Sequence, residues 1–316
     1  MKFGIIGTNF VSSWFVAAAE NAGGAVLPTA VFSRDLKRGE DFARRHNLPL
    51  YYDNLDAMID AVDAVYIASP TNVHLPQALA AIERGRHVLV EKTMTESVEG
   101  TRDLFAAADM AGVVAMEATR NLHAPAHEVV KNALGRLGTL RYAHLENLQY
   151  SSRYDRHRAG EVLNAFNPAL GNSAVADIGV YCLEPALDWF GSPLTHRGTS
   201  VRLENGFEAL GSIQLDYGAM VVDVVYSKIV SGVTPSTIIG EKGALTIDNL
   251  GQPSLIEWLP RDGEAQVLSC DPDAAPMANM HFELLDFVSQ VQAGQVDPRW
   301  RDITIRARQI MDEHLR

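Results

Sequence analysis

The sequence predicts an α/β chain with two domains, a doubly wound parallel sheet over residues 1–121 and a second domain with an antiparallel sheet over residues 122–316. Two observations predict the first domain: it contains six short apolar segments, and segments of helix length separate them. This alternation is typical of parallel strands joined by right-handed crossovers. A third observation predicts the second sheet, because from Leu194 onwards the hydrophobic pattern alternates with a period of two.

The composition is that of an ordinary globular protein, with 47% hydrophobic and 21% charged residues. The net charge of -12 argues against nucleic-acid or anionic-membrane partners, since both need clustered Lys and Arg. Cys182 and Cys270 form neither a disulfide framework nor a metal-ligand spacing, so we expect no metal. The chain starts directly with a strand and contains no apolar run of about 18 residues, so the expected location is the reduced cytoplasm and no membrane partner is expected.

The elements of the first domain follow one another in strict alternation. Each strand is a short apolar run, Asp35 is the candidate N-cap of the second helix, and Ser97 or Thr95 caps the fifth. The predicted strands are 3–6, 25–32, 50–52, 64–68, 87–90 and 113–116, and the predicted helices are 10–20, 36–46, 54–61, 75–84 and 96–111.

The turn after the first strand has the residue types of a phosphate-binding loop. Gly7 supplies a tight turn, and the amides of the following helix are directed back at it. Asn9 and Ser12 stand where the glycine fingerprint has its second and third glycines; Asn tolerates left-handed backbone angles, and Ser is small enough for packing of helix on strand. The alternative is the ordinary first turn of any α/β domain. The predicted dinucleotide contacts are Gly7, Thr8, Asn9 and Phe10.

The end of the second strand carries the residues that choose the cofactor in a dinucleotide fold. An acidic residue there accepts a hydrogen bond from the 2′-hydroxyl of NAD, whereas a small residue followed by Arg suits the 2′-phosphate of NADP. Ser33 and Arg34 therefore favour NADP, with NAD as the alternative. Lys37 and Arg38 are candidates for further positive charge near that phosphate, although a solvated helix start fits Lys37 better than Arg34.

Polar residues also follow the fourth and fifth strands, at the edge where open α/β sheets bind ligands. An amine at the end of the fifth strand enters the ligand crevice, where neighbours can depress its pKa from about 10.4 towards about 7 to 8 for proton transfer. The alternatives are a surface lysine and, for the histidine in the first of these turns, a structural role at a helix start. The predicted contacts are Ser69, Pro70, Thr71, Asn72, His74, Glu91 and Lys92.

The second domain begins with a helix over 125–134, stopped by Gly135, and a long strand over 139–149. The segment 150–166 is polar, aromatic and basic, which is equally typical of a loop that lines a hydroxyl-rich ligand and of a solvated connection. The candidate substrate contacts are Arg153, Tyr154 and Asn164.

A helix predicted over 172–190 carries the polar pair Asp177 and Tyr181, which four-residue spacing places on one helix face. A carboxylate and a phenol on a buried helix cost free energy unless they face a polar cavity. The alternative is an Asp–Tyr hydrogen bond that holds the helix. Cys182 is interpreted as a small core residue.

The remaining elements form the antiparallel sheet and two closing helices. The turn Asn205-Gly206 predicts a hairpin, and the last helix is expected to pack back on the first domain. The predicted strands are 201–204, 207–217, 220–228, 237–239, 244–248, 255–259 and 266–268, and the predicted helices are 278–293 and 304–315.

Five motifs in order, GIIGTN, SPTNVH, VEKT, EATR and DIGVY, resemble the glucose-fructose oxidoreductase, inositol dehydrogenase and MocA family over nearly the whole chain. The resemblance implies a Rossmann domain followed by an α+β domain with a large, mostly antiparallel open sheet, one face of which covers the nicotinamide. Asp177 and Tyr181 match a sugar and diol dehydrogenase subset with the pattern Asp-x-Gly-x-Tyr. Thr93 stands where family members usually have proline, and Asn172-Ser173 stand where glycines are common.

We therefore expect an NAD(P)-dependent oxidoreductase that prefers NADP and transfers a hydride to or from a secondary alcohol or carbonyl of a sugar, polyol or cyclic diol. With this reaction we expect that Lys92 contacts the reacting oxygen and that Tyr181 is the general acid or base. Asp177 is expected to orient the substrate and to tune Lys92 or Tyr181 by its charge. A homodimer or homotetramer through the second sheet is expected. One alternative is a non-catalytic NADP-binding sensor. The other is an enzyme that retains NAD for transient oxidation of a sugar carbon, which Ser33 and Arg34 disfavour because they suit NADP.

Overall fold

The computed structural model describes residues 1–271 and 277–316. The chain divides into two compact units, Met1–Arg120 with Met277–Ile305 and Asn121–Pro276 with Arg306–Arg316. The predicted fold class is confirmed, because one sheet has six parallel strands and the other has eight mostly antiparallel strands.

The parallel sheet has the strand order β3-β2-β1-β4-β5-β6. The order reverses between β1 and β4, and in open α/β sheets ligands bind beyond the carboxyl ends of the strands at this switch point. The structure begins β6 two residues later than predicted, because Val113 closes the preceding helix with an N–H bond to the Ala108 carbonyl. The strands are β1 (Lys2–Ile6), β2 (Leu27–Phe32), β3 (Leu50–Tyr52), β4 (Ala64–Ile67), β5 (His87–Glu91) and β6 (Ala115–Ala118).

The second sheet has the order β14-β13-β12-β11-β7-β10-β9-β8. Every neighbouring pair is antiparallel except β7 with β10, which run parallel. The strands are β7 (Leu140–Leu148), β8 (Thr195–Arg202), β9 (Glu208–Asp216), β10 (Val221–Ser227), β11 (Ser236–Gly240), β12 (Gly243–Ile247), β13 (Leu255–Pro260) and β14 (Gln266–Cys270).

Several helices begin where a short polar side chain caps them. Asp35 and Ser97 accept backbone N–H bonds from Arg38 and Gly100, as predicted, and Asp297 followed by proline starts the last helix six residues earlier than expected. The helices are α1 (Phe10–Glu20), α2 (Leu36–Arg45), α3 (Leu55–Asp60), α4 (His74–Glu83), α5 (Val98–Ala111), α6 (Arg120–His123), α7 (Pro125–Ala133), α8 (Tyr154–Arg158), α9 (Val180–Phe190), α10 (Met280–Ala293) and α11 (Pro298–Leu315).

Each face of the parallel sheet is covered by helices and buries its own core. On one face, Phe3 of β1 packs between Phe15 of α1 and Phe287 of α10, with ring centroids 5.4 and 5.7 Å apart. The other face packs on α3, α4 and α5 through residues such as Met58 and Leu104. Helix α10 therefore belongs to the first unit, although it follows the second sheet in sequence.

The predicted helix 172–190 is wrong in its first part. Residues Val175–Gly179 form a single π-helical turn, which we call the π turn, and the α-helix begins only at Val180. The N–H of Val180 bonds to the Val175 carbonyl five residues earlier, so the helix widens at this point. The π turn and α9 pack against β7 and β10.

Candidate active site

Gly7 forms the turn after β1 in a conformation that suits glycine alone. Its φ angle is 112°, and a Cβ at this position would lie 3.0 Å from the Ala68 carbonyl oxygen. The turn therefore lies against the chain that leaves β4, at the switch point of the sheet. The absence of a side chain leaves room for close approach of a ligand to the backbone.

Asn9 caps α1 and does not adopt the left-handed angles that asparagine tolerates. Its φ is -89°, its Oδ1 accepts bonds from the N–H groups of Val11 and Ser12 at 2.9 and 3.1 Å, and its Nδ2 donates to the Ala68 carbonyl at 2.6 Å. Asn9 thus ties the turn to the end of β4. Ser12 is fully buried, as expected for a small residue that packs the helix on the sheet.

Phe10 and Trp14 form an exposed aromatic pair on the first two turns of α1. Their ring centroids are 4.7 Å apart with an edge-on geometry, and 45% and 36% of the two residues are exposed. Thr8 is half-buried beside them. The predicted contact Phe10 therefore presents an apolar surface next to the turn.

The connection after β2 and the first turn of α2 present two exposed arginines, Arg34 and Arg38. Ser33 Oγ accepts the N–H of Asp35, while Arg34 is exposed. Arg38 is exposed too, with its Nε 3.4 Å from Asp35 Oδ2. Lys37 differs, because its Nζ lies 2.6 Å from Asp41 Oδ1 on the same helix. The two arginines offer an anion more positive charge than Lys37 does.

The turn 69–74 after β4 is closed by its own side chains. Ser69 Oγ donates to Gln77 Oε1 at 2.6 Å, and Pro70 precedes a short 3-10 turn that begins at the buried Thr71. The Oδ1 atom of Asn72 is buried, and among the described residues it meets no hydrogen-bond donor. A buried acceptor left in this state is costly unless something donates to it. Asn72 is therefore poised to accept from a bound molecule.

His74 is fully buried and links two loops. Its Nε2 lies 2.8 Å from the Ser69 carbonyl and its Nδ1 lies 3.3 Å from the Thr93 carbonyl. Burial lowers the pKa of His74, although the hydrogen bonds to backbone carbonyls oppose the shift. With no exposed surface in this structure, His74 positions the predicted contacts around it.

Lys92 follows β5, and the loop that carries it is fixed on two sides. The peptide bond between Lys92 and Thr93 is cis. His74 meets the Thr93 carbonyl, and the buried Glu117 of β6 accepts the Met94 N–H at 2.6 Å. Sequence reasoning missed the role of Glu117, although an acid within the otherwise apolar strand AMEA was a signal.

Two buried carboxyl groups belong to the same part of the first unit. Tyr66 donates a hydrogen bond to Glu91, and burial raises the pKa of Glu91 against the opposing effects of that bond and of the charges on Lys92 and Arg120. Burial and the negative charge of Glu91 raise the pKa of Glu283 well above its ordinary value. Glu91, a half-buried residue and a predicted cofactor contact, therefore interacts with the buried acid Glu283.

The first unit fits a dinucleotide. Gly7 leaves a cradle that a Cβ would fill, Asn72 offers a buried acceptor, and the chain after β2 carries Arg34 and Arg38 beside a small serine. These are the features that a pyrophosphate, a nicotinamide amide and a ribose phosphate require.

In the second unit, the half-buried Asp177 and Tyr181 lie on the π turn and the first turn of α9. The Asp177 N–H donates to the Ser173 carbonyl, and the carbonyl of Tyr181 accepts Asn121 Nδ2 at 3.1 Å. Both residues are therefore held through their backbones. The Asp177 side chain is 35% exposed, which leaves it open to a ligand.

The packing around Gly179 explains why the motif DIGVY has a glycine at this position. A Cβ at Gly179 would lie 2.9 Å from the ring of Tyr226 on β10, so only glycine lets the π turn rest on that ring. Tyr226 is fully buried and hydrogen-bonded to His314 at 2.7 Å, and Glu208 accepts the Val175 N–H at 2.9 Å. The π turn is thus seated on a hydrogen-bonded network from β9, β10 and α11.

Lys228 is a functional candidate that sequence reasoning missed. Its Nζ lies 2.6 Å from Asp177 Oδ2 and donates to the Ala165 carbonyl at 2.8 Å. A signal was present, since Lys228 has the same parity as the buried Val222, Val224 and Tyr226 in its strand pattern. A lysine on the apolar face of a strand indicates a buried partner.

The candidate substrate contacts lie in one segment, 150–171. Tyr154 packs on the fully buried Phe166 with ring centroids 5.6 Å apart. Arg153 is half-buried, and the exposed Asn164 accepts a bond from Asn172 Nδ2 at its carbonyl. The structure therefore places all three candidates in a segment with its own aromatic anchor.

Metal ligation and the buried thiol of Cys182 are not part of the predicted site. Within residues 1–271 and 277–316, no three His, Cys, Asp or Glu side chains are grouped to suit a metal ion, and no helix is long and apolar enough to cross a membrane. Cys182 is fully buried, and burial raises the pKa of its thiol. Its role as a core residue agrees with the prediction.

Residues 1–119 match the model of an oxidoreductase family with an NAD-binding Rossmann fold. The scyllo-inositol 2-dehydrogenase (NADP(+)) IolU of Bacillus subtilis is 36% identical over 94% of this chain and 90% of its own. The dTDP-3,4-didehydro-2,6-dideoxy-alpha-D-glucose 3-reductase of Streptomyces antibioticus is 30% identical over 93% of this chain and 89% of its own. KijD10, a 3-ketoreductase from Actinomadura kijaniata solved with NADP and TDP-benzene, superposes with a TM-score of 0.86 over 99% of this chain and 96% of its own, at 22% identity.

Proposed function

From the premise that the chain belongs to the glucose-fructose oxidoreductase, inositol dehydrogenase and MocA family of NAD-binding oxidoreductases, we propose that it is an NADP-preferring dehydrogenase or reductase. Its substrate is a secondary alcohol, or the matching carbonyl, of a sugar, polyol or cyclic diol. IolU, whose name gives scyllo-inositol and NADP(+), supports a cyclic polyol and this cofactor.

One observation carries the proposal: the loop that presents Lys92 at the end of β5 is fixed by the buried side chains of His74 and Glu117. A solvated surface lysine has no need of two buried supports. A central strand of a doubly wound sheet delivers such a residue to the ligand crevice.

The cofactor would be held by the turn at Gly7, the turn 69–74, and Arg34 with Arg38 after β2. The nicotinamide, when bound, supplies or accepts the hydride. Lys92 donates a hydrogen bond to the reacting oxygen, Tyr181 moves the proton at its phenolic oxygen, and Asp177 accepts a hydrogen bond from a substrate hydroxyl. Asn164, Arg153 and Tyr154 contact the remaining hydroxyls.

We also propose a homodimer or homotetramer assembled through the eight-stranded sheet. Residues that alternate with the buried ones leave apolar surface in contact with solvent, as at Ile239, which is 38% exposed, and the half-buried Val221 and Val225. Light scattering of the purified protein gives the assembly mass, and a monomer at micromolar concentration contradicts this part.

The cofactor assignment is tested by titration with NADPH and NADH, followed by fluorescence. NADPH should bind the wild type more tightly, and Arg34→Ala should weaken NADPH by about 10-fold or more, as loss of a charge-assisted hydrogen bond predicts, without change for NADH. Lys37→Ala is the matched control, because that side chain is engaged by Asp41. If neither nucleotide binds, the proposal fails at its first step.

Turnover separates an enzyme from a non-catalytic NADP-binding sensor. The wild type should reduce NADP+ with scyllo-inositol, D-xylose or a related polyol, and Lys92→Ala should abolish this activity while NADPH binding stays within a few-fold. An active Lys92→Ala variant sinks the catalytic assignment. A wild type that binds NADPH but turns over no member of a broad sugar, polyol and diol panel favours the sensor.

A further inference from the structure

The second unit contains a buried cation for which the proposed reaction has no use. Lys228 is 2% exposed, at the end of β10, and its ammonium donates to Asp177 Oδ2 and to the Ala165 carbonyl at 2.6 and 2.8 Å. The same ammonium lies 5.1 and 5.4 Å from the ring centroids of Phe166 and Phe207. Burial of an ammonium among aromatic rings costs free energy unless a carboxylate and hydrogen-bond acceptors remain in contact with it.

These contacts join two neighbouring parts of the chain to Lys228, which follows Asp177 by 51 residues and Ala165 by 63. Asp177 belongs to the π turn, and Ala165 belongs to the segment 150–171, next to Asn164 and the anchor Phe166. Asn205 Nδ2 holds the Phe166 carbonyl at 2.8 Å, so the segment is attached to the β8–β9 connection as well. Lys228 is therefore the ionic link between the candidate carboxylate and the candidate substrate segment.

We propose that Lys228 is a positioning residue that fixes the Asp177 carboxylate and the segment 150–171 in one arrangement, so that both present their polar groups to a hydroxyl-rich substrate together. This inference rests on the proposed function, because it assigns the arrangement to substrate binding and turnover.

The ion pair also defines how Asp177 acts. A carboxylate held by an ammonium 2.6 Å away keeps its orientation, so it accepts a hydrogen bond from a substrate hydroxyl in a fixed direction. Loss of Lys228 lets the carboxylate rotate and releases Ala165. Misplacement of a substrate-orienting group by about 1 Å lowers turnover by about 100-fold.

The test is a double-mutant cycle in the full chain, with NADP+ and the polyol that the wild type turns over. Lys228→Met should lower kcat by about 10- to 100-fold and raise KM in the wild-type background. In the Asp177→Asn background the same change should lower kcat by less than about 10-fold, because only the bond to the Ala165 carbonyl is then left to lose. The Kd for NADPH should be the same in all four proteins.

Lys131→Met is the matched control. Lys131 lies in the same unit and pairs with Asp188 of α9 at 3.0 Å, but it touches neither the π turn nor the segment 150–171 in any contact the structure records for it. Its loss should leave kcat and KM within about two-fold. Equal losses in Lys131→Met and Lys228→Met indicate a general effect of a broken ion pair and overturn the inference.

The outcomes separate the inference from the proposed function. Fully additive effects of Lys228→Met and Asp177→Asn overturn the inference alone. Wild-type turnover by Asp177→Asn overturns the role proposed for Asp177 and the inference with it. If Lys228→Met does not fold, the double variant with both charges removed replaces it. Its kcat should lie less than about 10-fold below that of Asp177→Asn, and a loss of about 10-fold or more contradicts the inference.

A second readout needs no substrate. Arg156 and Arg158 expose 59% and 64% of their side chains in the segment 150–171, so trypsin reports how firmly that segment is held. Native-state cleavage there should be several-fold faster in Lys228→Met than in the wild type, with Lys131→Met unchanged. Equal cleavage rates in all three proteins overturn the inference even when no turnover is found.

Discussion

Replacement of Gly179 by alanine tests whether the π turn is seated on Tyr226 as the structure indicates. The added Cβ would lie 2.9 Å from Tyr226 Cδ1, 3.0 Å from its Cγ and 3.2 Å from Val175 Cγ2. The ring has no room to retreat, because it is fully buried, its hydroxyl is hydrogen-bonded to His314, and its far end is already in contact with Gly211. The π turn, with Asp177, must shift instead.

The magnitude follows from two opposing contributions to the free energy of unfolding. Gly179 has right-handed helical angles, so alanine gains about 0.5 to 1 kcal/mol of backbone entropy relative to glycine. Overpacking against a ring that cannot move costs about 1 to 3 kcal/mol. The difference of these contributions is a loss of about 0 to 2.5 kcal/mol, and the midpoints of the two ranges give an expected loss of about 1 kcal/mol.

Thermal unfolding followed by circular dichroism measures this loss, and turnover measures its effect on Asp177. A loss of about 1 kcal/mol lowers Tm by about 2 to 4 °C. Gly135→Ala is the control, because a Cβ at Gly135 would meet no described atom within 4 Å. If Gly179→Ala and Gly135→Ala have the same Tm and turnover, the packing of the π turn on Tyr226 does not constrain it, and the reasoning fails.

Two further predictions concern stability against pH. Burial raises the pKa of Glu283 well above 4.5, so the unfolded chain loses this proton at a lower pH than the folded chain does. The free energy of unfolding therefore decreases as pH rises from about 4.5 through the folded pKa, and Glu283→Gln should lack that decrease. Parallel denaturant midpoints for both proteins between pH 4 and 9 would contradict this prediction. Burial lowers the pKa of His74, so the unfolded chain takes up a proton at a higher pH than the folded chain does, and the free energy of unfolding decreases as pH falls below 6.5. His74→Gln keeps a donor for the carbonyls of Ser69 and Thr93 and should show a shallower decrease. An unchanged slope of the free energy of unfolding against pH refutes this prediction.

The sequence predicted the first unit well because local patterns determine it. Short apolar runs separated by helix-length segments leave a doubly wound parallel sheet as the favoured arrangement, and the helix Phe10–Glu20 and the strand Leu50–Tyr52 were placed to the residue. Asn9 shows the limit of this reasoning. Its position in the fingerprint suggested a substitute for glycine, but whether an Asn turns left-handed or caps a helix depends on the neighbouring carbonyl of Ala68.

The second unit was harder because its decisive features are not local. The parallel pairing of β7 with β10 leaves the same alternation of two as an antiparallel pair, so periodicity cannot reveal it. The π turn packs on the ring of Tyr226, which lies 47 residues after Gly179 in the sequence. No spacing within DIGVY indicates that the helix widens there.

The pairing of Asp177 with Lys228 changes how the three predicted catalytic residues divide the work. The sequence suggested that the charge of Asp177 tunes Lys92 or Tyr181, but an ammonium 2.6 Å away compensates that charge at its source. A compensated carboxylate exerts a weak field on more distant groups, although it still accepts a hydrogen bond with a fixed direction. In the proposed reaction the proton therefore belongs to Tyr181, and replacement of Asp177 by asparagine should reduce substrate affinity and turnover more than it moves the pH at which turnover is half-maximal.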